Sequence, residues 1–98
     1  MSLTFDPKDP SEIIPLTFEF AALASEISTP VVSITQAYGV TDASDLTAML
    51  VGSAQVVGTQ VRQKVQLGIN GAAYKFRCQA DTPEGLRYVI ASVLPVEQ

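Results

Sequence analysis

Residues 70–80 read Asn-Gly-Ala-Ala-Tyr-Lys-Phe-Arg-Cys-Gln-Ala, a turn that leads directly into alternating apolar and polar residues. A period of two is typical of an antiparallel strand with one buried face. Asn-Gly ahead of such a run is a strong hairpin signal, because both residues tolerate positive φ. The two faces carry Tyr74, Phe76, Cys78 and Ala80 on the apolar side and Lys75, Arg77 and Gln79 on the polar side.

Short segments typical of strands, separated by turns and loops, occur along the rest of the chain. Residues 21–26 are too few for a typical helix and predict a single turn or a kinked crossing. Residues 41–45 form a polar loop, and residues 82–85, with Pro and Gly, form a turn. The chain therefore predicts an all-β antiparallel sandwich of about seven strands. We expect the strands at residues 14–20, 31–38, 46–51, 55–57, 61–67, 74–80 and 86–93.

The alternation also predicts which side chains face the core and where the domain begins. Residues 1–12 are expected to be an N-terminal extended arm, because residues 5–11 carry two Pro and two Asp in a polar run. Such an arm has little apolar surface and would become ordered on a partner. Residues 13–98 are expected to form the sandwich. Its predicted core is Leu16, Phe18, Phe20, Val32, Ile34, Val65, Leu67, Tyr74, Phe76, Cys78, Val89 and Ala91.

Composition limits the partners that the chain can bind. With 98 residues it has room for one domain. The net charge of −4 and the lack of a basic run argue against nucleic acid. No apolar run is long enough for a membrane span and no secretory signal layout is present, so we expect a soluble protein made in the cytoplasm, with no membrane partner. The basic residues Arg62, Lys64, Lys75, Arg77 and Arg87 are spread along strands and are expected to be solvated.

Catalytic groups are few, and we expect no enzyme and no cofactor. The chain has no His, which excludes Ser/His and Cys/His pairs and His-based metal sites. Glu19 and Glu26 remain conceivable as paired carboxylates, although no pocket pattern surrounds them. Cys78 lies on an apolar face and is interpreted as a small buried hydrophobic residue, a reactive thiol being the alternative.

Two further patterns could suggest a site. Asp42 and Asp45 lie close enough to suggest calcium, but Asp in a Ser/Thr loop more often forms turns and caps. The Gly68-x-x-Gly71 pattern is not a phosphate loop, because no helix is predicted after it. Tyr74, at the start of the penultimate strand, occupies the place of a tyrosine corner, whose hydroxyl binds nearby backbone. The sequence therefore assigns no catalytic, metal or cofactor residue.

Several features follow one another in a characteristic order: Lys8-Asp9-Pro10-Ser11-Glu12, Phe18-Glu19-Phe20, Gly39, Gly68-x-x-Gly71-x-x-Tyr74-x-Phe76 and Thr82-Pro83-Glu84-Gly85. Taken together, they resemble a family of small virion proteins of tailed phages with an immunoglobulin-like fold, described as structural or fiber–tail adaptor proteins. The likeness covers roughly residues 8 to 94. The chain departs from many members in having no Trp and in having Ile69 beside Gly68.

The resemblance implies a non-catalytic phage or prophage virion structural protein at the tail, neck or head surface. It implies contacts with other virion proteins and with further copies of the chain in a ring, and a place in the virion after cytoplasmic synthesis in a bacterial host. The alternative is a generic immunoglobulin-like module of a bacterial surface protein that binds a ligand or carbohydrate. An adaptor should associate with itself or with a tail component, whereas a module should bind its ligand as a monomer.

Overall fold

A computed structural model describes residues 2–98 of the chain. Within this range the backbone forms seven strands and one short 3₁₀ helix. The helix spans Leu46–Met49. The strands are β1 (Ser2–Thr4), β2 (Ile14–Glu19), β3 (Ser28–Gly39), β4 (Leu50–Val57), β5 (Gln60–Val65), β6 (Ala72–Asp81) and β7 (Arg87–Pro95).

The strands form two sheets packed face to face. One sheet has the order β1-β7-β6-β3 and the other has the order β2-β5-β4. All pairs are antiparallel except β1 with β7, which is parallel. The chain crosses between the sheets after β1, β2, β3 and β5, and hairpins join β4 to β5 and β6 to β7. The protein is an immunoglobulin-like β-sandwich, as the sequence predicts, with its first strand added beside its last.

The core lies between the sheets and follows the predicted alternation in β2, β5 and β6. Phe18, Phe20, Tyr74, Phe76 and Cys78 are fully buried, and Leu16 and Val65 join them. Val32 and Ile34 of β3 are only half-buried, because no strand lies beyond β3 to cover them. Most of the predicted core is therefore confirmed.

Strand β7 faces the core with the opposite set of side chains from the one predicted. Ser92 and Leu94 are buried, and Ile90 packs against the core. Val89 is 36% exposed, so its assignment to the core is wrong, and Ala91 is only half-buried. Leu67 is also wrongly assigned, because β5 ends at Val65 and Leu67 has a φ of 61° and is 52% exposed.

Two local predictions are corrected as well. Residues 46–51 and 55–57 are not two strands: a 3₁₀ turn comes first, and Leu50–Val57 is a single strand with an irregular register between Val51 and Gln55. The Asn70-Gly71 turn is present, closed by a hydrogen bond from Ala72 N–H to the Ile69 carbonyl. It does not make a hairpin, since β6 pairs with β3 and β7 and not with β5.

The N-terminal segment is packed against the sandwich of its own chain, which corrects its interpretation as an extended arm that would become ordered on a partner. β1 pairs with β7 from Ser2↔Ala91 to Thr4↔Val93. The Phe5 ring meets the Phe18 ring edge-on at 5.6 Å between centroids. The backbone of Lys8 forms an isolated parallel β-bridge with Val96, and Lys8 has no exposed surface. This segment therefore completes the four-stranded sheet.

No helix among residues 2–98 is both long and apolar enough to cross a membrane.

Candidate interaction surface

A tyrosine corner fixes the end of the sandwich where β5 crosses to β6. The hydroxyl of Tyr74 accepts a hydrogen bond from the Ile69 N–H at 2.9 Å and donates one to Asp42 Oδ2 at 2.8 Å. Burial is the main cause that raises the pKa of Tyr74, and the neighbouring Asp42 adds to it. Tyr74 is thus structural, as the sequence predicts.

The two aspartates of the 41–45 loop hold local turns. Asp42 accepts from the N–H and hydroxyl of Ser44. Asp45 accepts from the N–H and hydroxyl of Thr47 and is the N-cap of the 3₁₀ turn. These hydrogen bonds lower the pKa of both carboxyls. Both residues therefore act as the turn-formers and caps that the sequence predicts.

Lys8 is a charged side chain that is buried in the described structure and that sequence reasoning missed. Its ammonium donates to the carbonyls of Asp9 and Leu67, both at 2.8 Å, and to that of Pro10 at 3.4 Å. Burial lowers the pKa of Lys8, while Glu12 and Asp9 act in the opposite direction. The Leu67 carbonyl belongs to the loop after β5, so Lys8 ties the N-terminal segment to that loop.

The remaining candidate residues are Cys78, Glu19 and the basic side chains of the strands. Cys78 is fully buried, and burial raises the pKa of its thiol to about 12, so it is confirmed as a buried hydrophobic residue. Glu19 accepts from Thr59, Gln60 and the Ala21 N–H, which lowers its pKa. No group of three or more His, Cys, Asp or Glu side chains among residues 2–98 could hold a metal. The predicted basic residues are exposed, and of these Arg87 pairs with Asp81 at 2.8 Å.

Cavities open at three places on the described surface: between the sheets, between two loops, and on the exposed face of the β2-β5-β4 sheet. The first, of about 250 Å³, lies beside Phe5 and Phe18 and includes Ser92, whose Oγ is buried with no hydrogen-bond partner in the described part of the chain. The second, of about 350 Å³, lies between the β2–β3 loop and the β6–β7 hairpin and includes Glu26 and Tyr88. The third, of about 560 Å³, lies beside Pro15, Arg62 and Lys64. The first is smaller than a usual ligand pocket, whereas the volumes of the other two fall within the usual range.

The edges of the two sheets differ in how well they are protected from pairing with another chain. β1 is only Ser2–Thr4. β2 carries Pro15, which lacks an N–H, and the exposed Glu19. β4 is interrupted by its irregular register, where the buried Gln63 amide donates to the Val51 and Gly52 carbonyls. Short length, Pro, charge and bulges are the devices that keep edges from pairing.

The edge of β3 has none of these devices over its central part. Residues 31–36, which we call the β3 edge, run in unbroken register with β6 between two irregularities. Among the described residues, the backbone of the β3 edge makes no hydrogen bond except within this β3–β6 pairing. Residues 27–41 contain no Asp, Glu, Lys or Arg. The β3 edge is therefore a long neutral template for another strand.

Sequence reasoning identified β3 as a strand but not as an edge. Its Val-Val-Ser-Ile-Thr run is typical of a strand in any position. Only the sheet order shows that one side of it is open. The signal that could have indicated this is the absence of charge across residues 27–41.

Comparisons of this chain with protein-family models, with curated proteins and with solved structures found no match.

Proposed function

We propose that this protein is a non-catalytic structural component of a phage or prophage virion that acts through protein–protein contacts. The resemblance of its motifs gives the class, and the open β3 edge supports contact with other chains as its mode of action. A soluble chain that keeps a neutral edge open gains from having that edge paired in an assembly.

Low surface charge supports the same proposal. Charged residues make up 16% of the chain, against about a quarter in typical domains. Interface centres are depleted in charge, since burying an unpaired charge is costly. Among the apolar side chains that stay exposed in the isolated chain, Tyr38 and Val40 lie two and four residues after the β3 edge and are more than half exposed. A partner on this side would cover them together with the edge.

The experiment is to induce particles in the bacterial strain that carries the gene and to purify them by density gradient. We expect the chain to sediment with the particles in several copies each, and its gene to lie among head or tail genes. A chain that stays in the soluble lysate while the capsid protein sediments would contradict the proposal. An unrelated cytoplasmic protein of similar size serves as the control for trapping.

A ligand-binding module is the second candidate, and the cleft between the β2–β3 loop and the β6–β7 hairpin favours it. This cleft combines the Glu26 and Glu84 carboxyls with the half-buried ring of Tyr88. Sugars stack on aromatic faces, and the cleft offers a single one. Titration calorimetry with a glycan panel distinguishes the two candidates: tight binding by the monomer would favour the module.

A further inference from the structure

We propose that two copies of this chain associate through their β3 edges, antiparallel about a two-fold axis, to form one continuous eight-stranded sheet. This inference rests on the proposed function, because it names one partner of the same surface. The occupant of the β3 edge is thus a second β3 edge.

The protection of the other edges selects this pairing. A ring needs two different edges that fit each other, whereas a two-fold dimer needs one edge used twice. Within residues 2–98 the β1, β2 and β4 edges carry the blunting features described above, whereas β3 carries them, as Pro30 and two register irregularities, only outside the β3 edge. Pairing β3 with itself joins the two open edges and leaves none, so it closes at two copies.

Charge also favours a second copy over a charged peptide. The whole chain has a net charge of −4, yet residues 27–41 are neutral, so two β3 edges meet without repulsion. The nearest cations, Lys75 and Arg77, lie on β6, opposite Thr35 and Ser33. In the dimer the two β6 strands would be about 14 Å apart, or three strand spacings. This exceeds the Debye length of about 8 Å at physiological salt, so their repulsion is screened.

The side chains specify the register. Residues directly opposite each other in an antiparallel pair lie on the same face of the sheet. In a pair of identical β3 edges their residue numbers therefore differ by an even number, and the two-fold axis passes through a residue position. An axis at Ser33 places the half-buried Val32 opposite Ile34 of the second copy. An axis at Ile34 would instead oppose Val32 with Gln36, whose amide is already bonded to the Val40 carbonyl and the Asp42 N–H. Apolar matching therefore selects Ser33 facing Ser33.

Sedimentation and cross-linking test this proposal. We expect the full chain to sediment as a dimer that dissociates on dilution. Opposed residues on one face have Cβ atoms about 5 Å apart, within reach of a disulfide after small adjustments. Ser33→Cys should therefore cross-link to itself under mild oxidation. Ser53→Cys, an exposed position on the β4 edge, is the matched control and should stay uncross-linked.

Charge variants provide an independent measurement. Ser33→Lys places two cations opposite each other and should weaken the dimer about fivefold, because like charges facing across strands cost up to about 1 kcal/mol. Ser33→Glu should weaken the dimer less, because Arg77 lies opposite Ser33 on β6 of the same chain and pairs with the carboxylate. Ser33→Gln should leave the dimer unchanged, and a mixture of the Lys and Glu variants should associate more tightly than the Lys variant alone. Circular dichroism verifies that each variant is folded.

Two results would overturn the dimer: a monomer at all concentrations, or an oligomer that neither Ser33→Lys nor Ser33→Cys affects. A monomer that still sediments with virus particles would refute the dimer and leave the proposed function standing. A β3 dimer that never enters particles would retain this inference and refute the virion assignment.

Discussion

Tyr74 and Asp42 are joined by a hydrogen bond of 2.8 Å across a sequence separation of 32 residues. This contact ties the start of β6 to the loop after β3, while the Ile69 N–H bonds the same hydroxyl from the loop after β5. One phenol oxygen thus connects three segments at one end of the sandwich. The adjacent backbone is equally close, since Val40 N–H donates to the Gly71 carbonyl at 3.2 Å.

Tyr74→Phe removes this hydroxyl and keeps the ring in the core. We expect the free energy of unfolding to fall by about 1–2 kcal/mol, because the Ile69 N–H and the Asp42 carboxylate lose their shared partner. Urea denaturation measures the loss. Tyr38→Phe is the control, since Tyr38 is 62% exposed and should tolerate the change. Equal losses in the two variants would show that the hydroxyl network contributes nothing specific.

Asp42→Asn should change how stability depends on pH. Hydrogen bonds from the side chain and backbone of Ser44, and then from Tyr74, lower the pKa of Asp42 below its usual 3.8 in the folded protein. A carboxyl of this kind stabilises the fold above its unfolded pKa, and that contribution is lost as the pH falls through the folded pKa. The variant should therefore be less stable than the original at pH 7, and the difference should close below about pH 3.8. Thermal melts over this range measure it, and a constant difference would refute the linkage.

The burial assignment of β6 can be tested at two neighbouring positions. Phe76 is fully buried opposite Ile34 and Ser92, whereas Lys75 is exposed. Phe76→Ala should cost about 3 kcal/mol more than Lys75→Ala, because it leaves a cavity while the other change trims a solvated stem. Denaturant midpoints of the two variants decide this. Similar midpoints would contradict the register of β6.

The local alternation of apolar and polar residues predicts much of this sandwich. In β2 and β6 large aromatic residues alternate with charged or polar ones, so only one face can be buried. In β7 the alternation does not indicate which face is buried, because both faces carry apolar residues: Tyr88 and Ile90 on one, Val89 and Ala91 on the other. Pairing with β6, which places Ser92 opposite Phe76, selects the face that local sequence leaves open.

Features that depend on distant contacts could not be predicted. The burial of Lys8 depends on the carbonyl of Leu67, 59 positions away, and a lysine beside Pro and Asp is typical of a solvated loop. Gly52-Ser53 resembles a turn, but the buried Gln63 amide bonds the carbonyls there and β4 continues. The β3 edge is defined by the order of strands in the sheet, which no local pattern contains.

Alanine substitutions at Gly39 and Gly52 distinguish the cost of backbone strain from the cost of steric overlap. Both have positive φ, 94° and 71°. A Cβ at Gly39 would overlap the Gly71 carbonyl oxygen and lie 2.9 Å from Ala72 Cα, whereas a Cβ at Gly52 meets nothing within 4 Å. Gly52→Ala should cost about 1–2 kcal/mol from strain alone. Gly39→Ala should cost a further 1–3 kcal/mol, roughly the penalty of overpacking. Urea melts compare the two, and equal losses would contradict the close approach of the loops.

Lys8→Met tests whether the N-terminal segment is an integral part of the sandwich. Met keeps most of the apolar stem but leaves the Leu67, Asp9 and Pro10 carbonyls without the ammonium that they share. We expect the free energy of unfolding to fall by about 1–3 kcal/mol, the usual cost of losing hydrogen bonds to a charged group. Lys64→Met, at an exposed position on β5, should change stability by less than about 0.5 kcal/mol. Hydrogen exchange should also quicken at the Phe5 and Lys8 amides, which bond the Val93 and Pro95 carbonyls of β7. If Lys8→Met unfolds at the original midpoint with unchanged exchange, the segment is held by β1 pairing and the Phe5 ring alone.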